Sequence, residues 1–411
     1  MEPGIKKTVR NSLAVLVWSF FILLLPANHT EGKQAGSEKI TCQKVLAEFT
    51  IEKSADIVLL PVEFKGEQHW FIFDTGASWV VFDSSFRNVL GDARRSVTAT
   101  ANAYGGSITL ELFDAPEAFL GPFNMQDCGQ VACMDLKKVN LALGKKVSGV
   151  IGMSFLKKHV IQIDYDEGKL SFLKPKSSGG CFSFLHPKGI DNPDWGEKLS
   201  IKYNSGGIPQ IEGNVLNGGK TYFWIDTGAA VQKCLESKIF RNILKHKGTK
   251  ASEKLSETTA GTAQNKEIRI DKLFLGSLKY KGLISNEGKL SLLGTPFLSR
   301  HIVTFDFPNN AIYLKRGMDF DRLDEVDMTG LQLIRISNKT TLHSVDQDSP
   351  AYEAGLKAGD IILKVNNKDA NEYSRWELSR LKKSGDGDKI KMTIKRGDNV
   401  KEVSFVLKKR I

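Results

Sequence analysis

Apolar runs of strand length, separated by turn residues, recur through most of the chain, and two of them end in the same four residues. The segment 71–77 reads Phe-Ile-Phe-Asp-Thr-Gly-Ala, and the segment 223–229 reads Phe-Trp-Ile-Asp-Thr-Gly-Ala. One such copy is an ordinary turn, because Asp and Gly are common turn formers. Two copies in the same setting predict duplicated lobes that bring Asp74 and Asp226 face to face.

A second repeat follows each Asp-Thr-Gly and supports the duplication. The segments 149–164 and 291–306 share an apolar run, a glycine (Gly152 or Gly294), a Phe-Leu pair, a histidine and a final aspartate in the same order. Each reads as an apolar strand, a short helix and an alternating strand, with a further strand after a turn. We therefore predict two mainly β lobes, joined by a Ser-, Gly- and Pro-rich connection at 176–198.

The pattern changes near Leu323, where a third unit begins. The segment 349–355 starts with Ser-Pro-Ala and ends with Ala-Gly, which predicts a short helix. Ile361 opens an apolar strand, 373–383 is predicted as a helix, and 389–394 alternates as a strand does. This unit is therefore predicted to be α+β.

Composition and charge are those of a globular protein of two or three domains. The chain has 411 residues, of which 41% are apolar and 26% charged, and its formal net charge is +11. Such a charge would suit an acidic partner. The basic residues are scattered, however, without the aromatic interleaving expected at a nucleic-acid surface. We therefore expect a solvated basic surface and no nucleic-acid partner.

The first residues have the character of a targeting segment. A basic stretch precedes the apolar run 13–25, which is shorter than the roughly 20 residues of a membrane-spanning helix. We predict a signal peptide at 1–27 and an exported protein, secreted or periplasmic. An uncleaved membrane anchor is the alternative, because no clean cleavage site is evident.

The cysteine content does not suggest a disulfide-built scaffold. There are five cysteines, so at least one is unpaired. Cys128 and Cys133 are close enough to staple one loop, which export would permit. Their spacing lacks a second pair, so zinc is not expected. Cys234 is interpreted as an apolar filler rather than a nucleophile.

The Asp-Thr-Gly-Ala elements, together with Val-Ile-Gly at 150–152 and Leu-Leu-Gly at 292–294, resemble the retropepsin-like aspartic peptidases. The resemblance covers roughly residues 45 to 315. It implies a mainly β fold of two pseudo-twofold-related β-barrel lobes in one chain, as in pepsin. We place lobe 1 at 42–176 and lobe 2 at 195–318. An aspartic endopeptidase that needs no cofactor and no metal is the implied activity.

The resemblance also implies a role for each residue of the two motifs. Asp74 and Asp226 would share one proton and activate a water molecule. The hydroxyl groups of Thr75 and Thr227 would each bond to the opposite loop. Gly76 and Gly228 would let the backbone approach the carboxylates, and Gly152 and Gly294 would brace the loops. Alanine follows each motif, at the position where pepsin-like enzymes have a hydroxyl donor to the carboxylate. Without that donor the pKa of the pair should rise, so we expect activity at mildly acidic pH.

Peptidases of this class cover their substrate with hairpin flaps. In lobe 1, Tyr104, Gly105 and Gly106 form a candidate flap tip, and Gly261 occupies a comparable place in lobe 2. A plain surface turn explains these residues equally well. The two repeated histidines are interpreted as structural polar residues rather than ligands.

Residues 328–409 resemble a PDZ domain of the bacterial type, which we place at 325–411. The Ser-Pro-Ala, Ala-Gly-Leu, Gly-Asp and Ile-Ile elements between 349 and 362 carry the resemblance. It implies capture of peptide C-termini, with Gly330, Leu331 and Gln332 binding the carboxylate. The local sequence departs from the usual Gly-Leu-Gly-Phe, so a domain that only packs on the lobes or regulates access is the alternative.

The sequence thus predicts an exported, monomeric endopeptidase whose partners are protein or peptide substrates. A non-catalytic binding protein that keeps the same fold is the competing hypothesis. A third arrangement has lobes pairing between chains. Contact with a membrane is expected only if the N-terminal segment stays uncleaved.

Overall fold

The computed structural model describes most of the chain beyond its first residues. The predicted signal segment 1–27 and most of the predicted inter-lobe connection lie outside the described residues. The described ranges are 44–53, 57–101, 106–143, 145–175, 195–230, 233–249, 251–258, 261–336, 339–373 and 375–409.

Lobe 1 is built around a 9-stranded sheet with the order β5-β6-β9-β4-β10-β3-β2-β7-β8. Its alternating apolar positions face a core in which several phenylalanine rings pack edge to face. The elements are β1 (Val45–Thr50), β2 (Leu59–Phe64), β3 (Glu67–Phe73), β4 (Val81–Asp83), β5 (Arg95–Ala101), β6 (Gly106–Asp114), β7 (Ala118–Leu120), β8 (Phe123–Asn124), β9 (Gln130–Met134), α1 (Lys137–Leu143), β10 (Gly149–Ile151), α2 (Met153–Leu156), β11 (Val160–Asp164) and β12 (Lys169–Leu173).

Lobe 2 repeats this plan in an 8-stranded sheet with the order β14-β15-β16-β21-β17-β20-β19-β18. An extra pairing of β15 with β19 curls the sheet into a barrel. The elements are β13 (Glu197–Ser200), β14 (Lys202–Tyr203), β15 (Pro209–Val215), β16 (Gly219–Asp226), β17 (Lys233–Glu236), α3 (Ser237–Leu244), β18 (Ala251–Thr258), β19 (Gly261–Leu275), β20 (Leu278–Gly288), β21 (Leu292–Gly294), α4 (Thr295–Leu298), β22 (His301–Asp306) and β23 (Ala311–Arg316).

A 6-stranded sheet joins the two lobes, with the order β1-β12-β11-β22-β23-β13. The repeated strands β11 and β22 pair antiparallel at its centre, with Ile161 opposite Phe305 and Gln162 opposite Thr304. The Gln162 side-chain amide donates to the Thr304 hydroxyl at 2.8 Å. The lobes therefore share backbone hydrogen bonds as well as a core. The sequence predicted two separate β-barrel lobes. The pairing of strands from different lobes in one sheet was not predicted.

The C-terminal unit forms a separate sheet with the order β24-β25-β26-β28-β29, and its core is distinct from that of the lobes. Ser349 caps α5, and the αL conformation of Gly355 follows the helix end, as the sequence predicts. The elements are β24 (Leu331–Ile336), β25 (Lys339–Val345), α5 (Pro350–Glu353), β26 (Ile361–Val365), β27 (Lys368–Asp369), α6 (Arg375–Leu381), β28 (Lys389–Arg396) and β29 (Asn399–Val406).

The predicted mainly β fold with an α+β C-terminal unit is confirmed, but the suggested disulfide is not. Cys128 and Cys133 are both free thiols. Cys133 lies on β9 with its sulfur 3.8 Å from the carbonyl oxygen of Asp83, whereas Cys128 ends a 3₁₀ turn. Proximity in sequence was misleading, because the two side chains contact different neighbours.

The repeated histidines lie where each short helix turns into the next strand. His301 is buried, and its Nε2 lies 2.8 Å from the Tyr280 hydroxyl. Burial lowers the pKa of His301 to about 4. His159 packs among phenylalanine rings, and burial also lowers its pKa to about 4. Among the described residues, no helix is long and apolar enough to cross a bilayer.

Candidate active site

Two equivalent strand ends carry the paired aspartates. Asp74 directly follows β3, and its amide donates to the Ile151 carbonyl of the parallel strand β10. Asp226 ends β16 and lies opposite Gly294 of the parallel strand β21. These strands are buried apolar runs that belong to one joint core of the two lobes. The carboxyl groups of both lobes therefore meet at the junction.

The glycines of the two motifs allow this close approach. A Cβ atom on Gly76 would lie 2.6 Å from Asp226 Oδ1, and one on Gly228 would lie 2.6 Å from Asp74 Oδ1. Each glycine amide also donates to the aspartate of its own loop, at 2.7 Å for Gly76 and 3.0 Å for Gly228. Any other residue at either position would collide with the opposite carboxylate.

The first bracing glycine, Gly152, is equally confined by the neighbouring backbone. A Cβ atom on Gly152 would lie 2.7 Å from the Ala77 carbonyl oxygen, so a side chain here would displace the first loop. The residues after the two bracing glycines bond to the loops: Met153 N donates to Ala77 O, and Thr295 N donates to Ala229 O. Each short helix thus starts by holding the end of its Asp-Thr-Gly loop.

The two threonines interlock the loops beneath the carboxyl groups. Thr75 Oγ1 donates to the Ile225 carbonyl at 2.6 Å, and Thr227 Oγ1 donates to the Phe73 carbonyl at 2.9 Å. Each hydroxyl also accepts the amide of the opposite threonine, at 3.0 and 3.1 Å. Both threonine side chains are fully buried. These four hydrogen bonds, the threonine lattice, connect the two loops across the pseudo-twofold axis and fix the separation of the aspartates.

Burial decides the protonation of the aspartate pair. Asp74 and Asp226 share a side-chain hydrogen bond. Burial, and then the charge of Asp74, raises the pKa of Asp226 well above its ordinary value. Burial also raises the pKa of Asp74, against hydrogen bonds from the Gly76 amide and from Asp226 that lower it. The pair therefore retains one shared proton at pH values where free carboxyl groups have lost theirs.

The described flap candidates, Gly106 and Gly261, each open the second strand of an antiparallel pair. Ala101 of β5 pairs with Gly106 of β6. Tyr104 and Gly105 lie outside the described residues. In lobe 2, Thr258 of β18 pairs with Gly261, which opens β19. The flap role of these residues remains a prediction.

The loop predicted to bind a peptide carboxylate is partly occupied by its own side chains. The Gly330 amide donates to Asp327 Oδ1 at 3.2 Å, and the Leu331 amide donates to Thr329 Oγ1 at 3.0 Å. Asp327 is also paired with Lys382, at 2.6 Å. In the described structure the Gln332 side-chain nitrogen is buried without a hydrogen-bond partner. Carboxylate capture by these three residues remains a prediction that the amide bonds disfavour.

One residue of the site was not anticipated from the sequence. Thr295 is buried, and its hydroxyl donates to the Thr227 carbonyl at 2.8 Å, which anchors the second loop from behind. Lobe 1 has Met153 at the corresponding position of the repeat. The polar-for-apolar difference between two otherwise matching segments was the available signal. The structure groups no three potential metal ligands within its described ranges.

Two family models match parts of the chain. Residues 60–155 match the family model described as aspartyl protease, which covers lobe 1 from β2 to α2. Residues 328–407 match the PDZ domain model.

Curated relatives match only short stretches. A Clostridium acetobutylicum protein described as a zinc metalloprotease is 32% identical over 66 residues, which are 16% of this chain and 19% of that protein. A protein of Staphylococcus haemolyticus described as a CtpA-like serine protease is 29% identical over 76 residues, 18% of this chain and 15% of that protein. The chain thus spans less than a fifth of the length of either relative.

Two solved structures show distant likeness. Basic 7S globulin from soybean has a TM-score of 0.38 and 11% identity, over 66% of this chain and 94% of that chain. An aminopeptidase N family protein from Idiomarina loihiensis has a TM-score of 0.20 and 22% identity, over 22% of this chain and 15% of that chain. Both TM-scores are too low to indicate a shared overall fold.

Removing one interlocking hydroxyl should destabilise the junction of the lobes. Thr75→Val leaves the Ile225 carbonyl and the Thr227 amide buried without their partner, which we expect to lower the free energy of unfolding by about 2–4 kcal/mol. Urea unfolding measures this loss.

Thr75→Ser keeps the hydroxyl and is the matched control, with a loss below about 1.5 kcal/mol. The Thr75→Val and Thr227→Val effects should add incompletely, because they disrupt one network. A valine variant as stable as the unmodified protein would contradict the stabilising role of these threonine hydrogen bonds.

Proposed function

We propose that this chain, which joins an aspartyl protease domain of the retropepsin-like type to a PDZ domain, is a single-chain aspartic endopeptidase. The observation that carries the proposal is the buried, hydrogen-bonded pair Asp74 and Asp226, with one shared proton. Both carboxyl groups come from one chain, so the site is complete in a monomer.

The single shared proton gives the two members of the pair different roles in peptide hydrolysis. The ionised member accepts a proton from a bound water as the water oxygen attacks the scissile carbonyl carbon. The protonated member hydrogen-bonds to the carbonyl oxygen and stabilises the charge that develops there. The tetrahedral intermediate then collapses: the proton taken from water passes to the peptide nitrogen, the C–N bond breaks, and the carbonyl of the acid product re-forms.

Export and substrate selection belong to the same proposal. The basic and apolar residues of segment 1–27 support export, either with cleavage or as an anchor. In the described part of the PDZ domain, β24 ends the sheet order and pairs with β25. An extended peptide could add to its outer edge. We propose that this edge recruits protein substrates.

Replacing either aspartate should abolish peptide hydrolysis. Asp74→Asn or Asp226→Asn leaves one carboxyl group, which cannot act as base and acid together, so each should lower kcat for unfolded casein by at least about 100-fold. The unmodified protein should be inhibited by pepstatin. Cleavage is measured on identically purified proteins.

Asp114→Asn is the matched control, because Asp114 is an exposed carboxylate of lobe 1 paired with Arg94. It should cleave at the unmodified rate. Equal residual cleavage in the two dyad variants would refute the enzyme and leave a binding protein of the same fold.

Introducing the missing hydroxyl donors should shift the pH dependence. Because burial raises the pKa of both aspartates, we expect activity to peak at mildly acidic pH. A hydroxyl at position 77 or 229 would bond to the ionised carboxylate and favour it. Ala77→Ser and Ala229→Ser should therefore move the acidic limb of kcat/KM to lower pH, by roughly half a unit to one unit.

The pH profile of kcat/KM on a short peptide measures this shift. An unmodified protein with its optimum in the strongly acidic range of pepsin would contradict the expectation. So would serine variants whose acidic limb does not move.

Removing the PDZ domain should separate recruitment from chemistry. A chain that ends at Val326 lacks the domain but retains the lobes. We expect its kcat/KM for a short peptide to stay within about threefold, while kcat/KM for casein falls by about tenfold as the second contact is lost. Parallel assays on the two substrates measure the difference. A folded truncation that cleaves neither substrate would assign the domain a structural role instead.

A further inference from the structure

A buried cluster of three charges holds the segment that precedes the PDZ domain against lobe 2. Asp324 lies in the segment that connects them, and its side chain is 1% exposed. Its Oδ2 is 2.5 Å from Lys233 Nζ, and its Oδ1 is 2.5 Å from Arg300 Nη2. Oδ2 also accepts the Ile284 amide at 2.6 Å. The connecting segment is thus inserted into lobe 2.

The two cations flank the loop that carries Asp226. Lys233 opens β17 and lies opposite Leu293, the neighbour of Gly294, which itself pairs with Asp226. Arg300 follows α4, whose first residue Thr295 donates to the second Asp-Thr-Gly loop. Asp324 therefore ties together the strand that leaves the loop and the helix that supports it.

Lobe 1 lacks this arrangement, although it repeats the same elements. Val80 corresponds to Lys233, because each lies three residues before the residue, Asp83 or Glu236, that precedes the next helix. Val80 is a fully buried core residue. Lys158 corresponds to Arg300 in the repeat but is exposed. Lobe 1 is thus completed by apolar packing, whereas lobe 2 places a cation in the same core position.

A buried cation needs a nearby anion, and here the anion comes from outside the repeat. Desolvation lowers the pKa of Lys233 to about 8, while the charge of Asp324 opposes this effect. Lys233 would therefore be charged at mildly acidic pH. Loss of the carboxylate that contacts both cations would leave an uncompensated charge against the strand next to Asp226.

We propose that Asp324 is a positioning residue for the second aspartate loop, so that the segment entering the PDZ domain completes the peptidase site. The proposal rests on the proposed endopeptidase function. Asp324 acts through Lys233 and Arg300 and does not itself touch the substrate.

Three full-length variants test the proposal by steady-state kinetics on a short peptide. Asp324→Asn should lower kcat by at least about tenfold with KM within about threefold, because a misplaced dyad weakens chemistry more than binding. Asp319→Asn is the matched control: Asp319 lies in the same segment but forms an exposed pair with Arg322. Its kcat should equal that of the unmodified protein.

The third variant combines Lys233→Met with Asp324→Asn. Methionine restores an apolar side chain where lobe 1 has Val80, so the double variant should recover kcat to within about fivefold of the unmodified protein. A purely structural contribution of Asp324 would lower the stability of Asp324→Asn without lowering kcat of its folded molecules. If Asp324→Asn does not fold, the double variant is the test, and a folded double variant with kcat far below that of the unmodified protein overturns the proposal.

Two results would overturn the proposal: a folded Asp324→Asn variant with unchanged kcat, or a double variant as impaired as the single one. Both differ from failure of the enzyme assignment, in which Asp226→Asn would cleave as well as the unmodified protein. Asp226→Asn is therefore assayed alongside, and its loss of cleavage confirms that kcat reports on the dyad.

Discussion

The rest of this structure depends on two carboxyl groups that are buried side by side. Neither can ionise freely without water, and both cannot ionise together, so the pair keeps one proton. The backbone amides of Gly76 and Gly228 donate to the carboxylates and offset part of the cost of burial, and so close an approach of the two loops requires glycine at both positions. The threonine lattice then holds the loops at a fixed separation. These contacts support the proposed peptidase function, because a pair that holds one proton is what water activation would require.

The repeat made this junction predictable from the sequence. Two copies of Asp-Thr-Gly, each with a bracing glycine, imply a pseudo-twofold axis, and residues on that axis must meet their own counterparts. The reciprocal bonds of Thr75 and Thr227 are the direct result. The mainly β lobes and the cap of α5 by Ser349 were likewise readable, because alternating apolar positions and a Ser-Pro helix start are local signals.

Contacts between distant segments were not readable in the same way. The pairing of β11 with β22 depends on how the two lobes pack against each other. The sequence of either strand does not indicate that its partner lies in the other lobe. Lys233 occupies a core position that a polarity pattern assigns to solvent, and only the burial of Asp324 explains it. Cys128 and Cys133 were misjudged because sequence spacing says nothing about side-chain direction. The sequence predicted that the Gly330 loop binds a peptide carboxylate, whereas in the structure the Gly330 amide donates to Asp327.

Asp324 and Asp327 together define the connection between peptidase and PDZ domain. Asp324 is held inside lobe 2 by Lys233 and Arg300, and Asp327 is held inside the PDZ domain by Lys382 and by the amides of its own loop. Only Glu325 and Val326 separate them, and Val326 is itself buried. A connection anchored by a buried carboxylate at each end has little slack. The Gly330 loop and the carboxylate that pairs with Lys233 therefore lie on one short segment that is anchored at both ends.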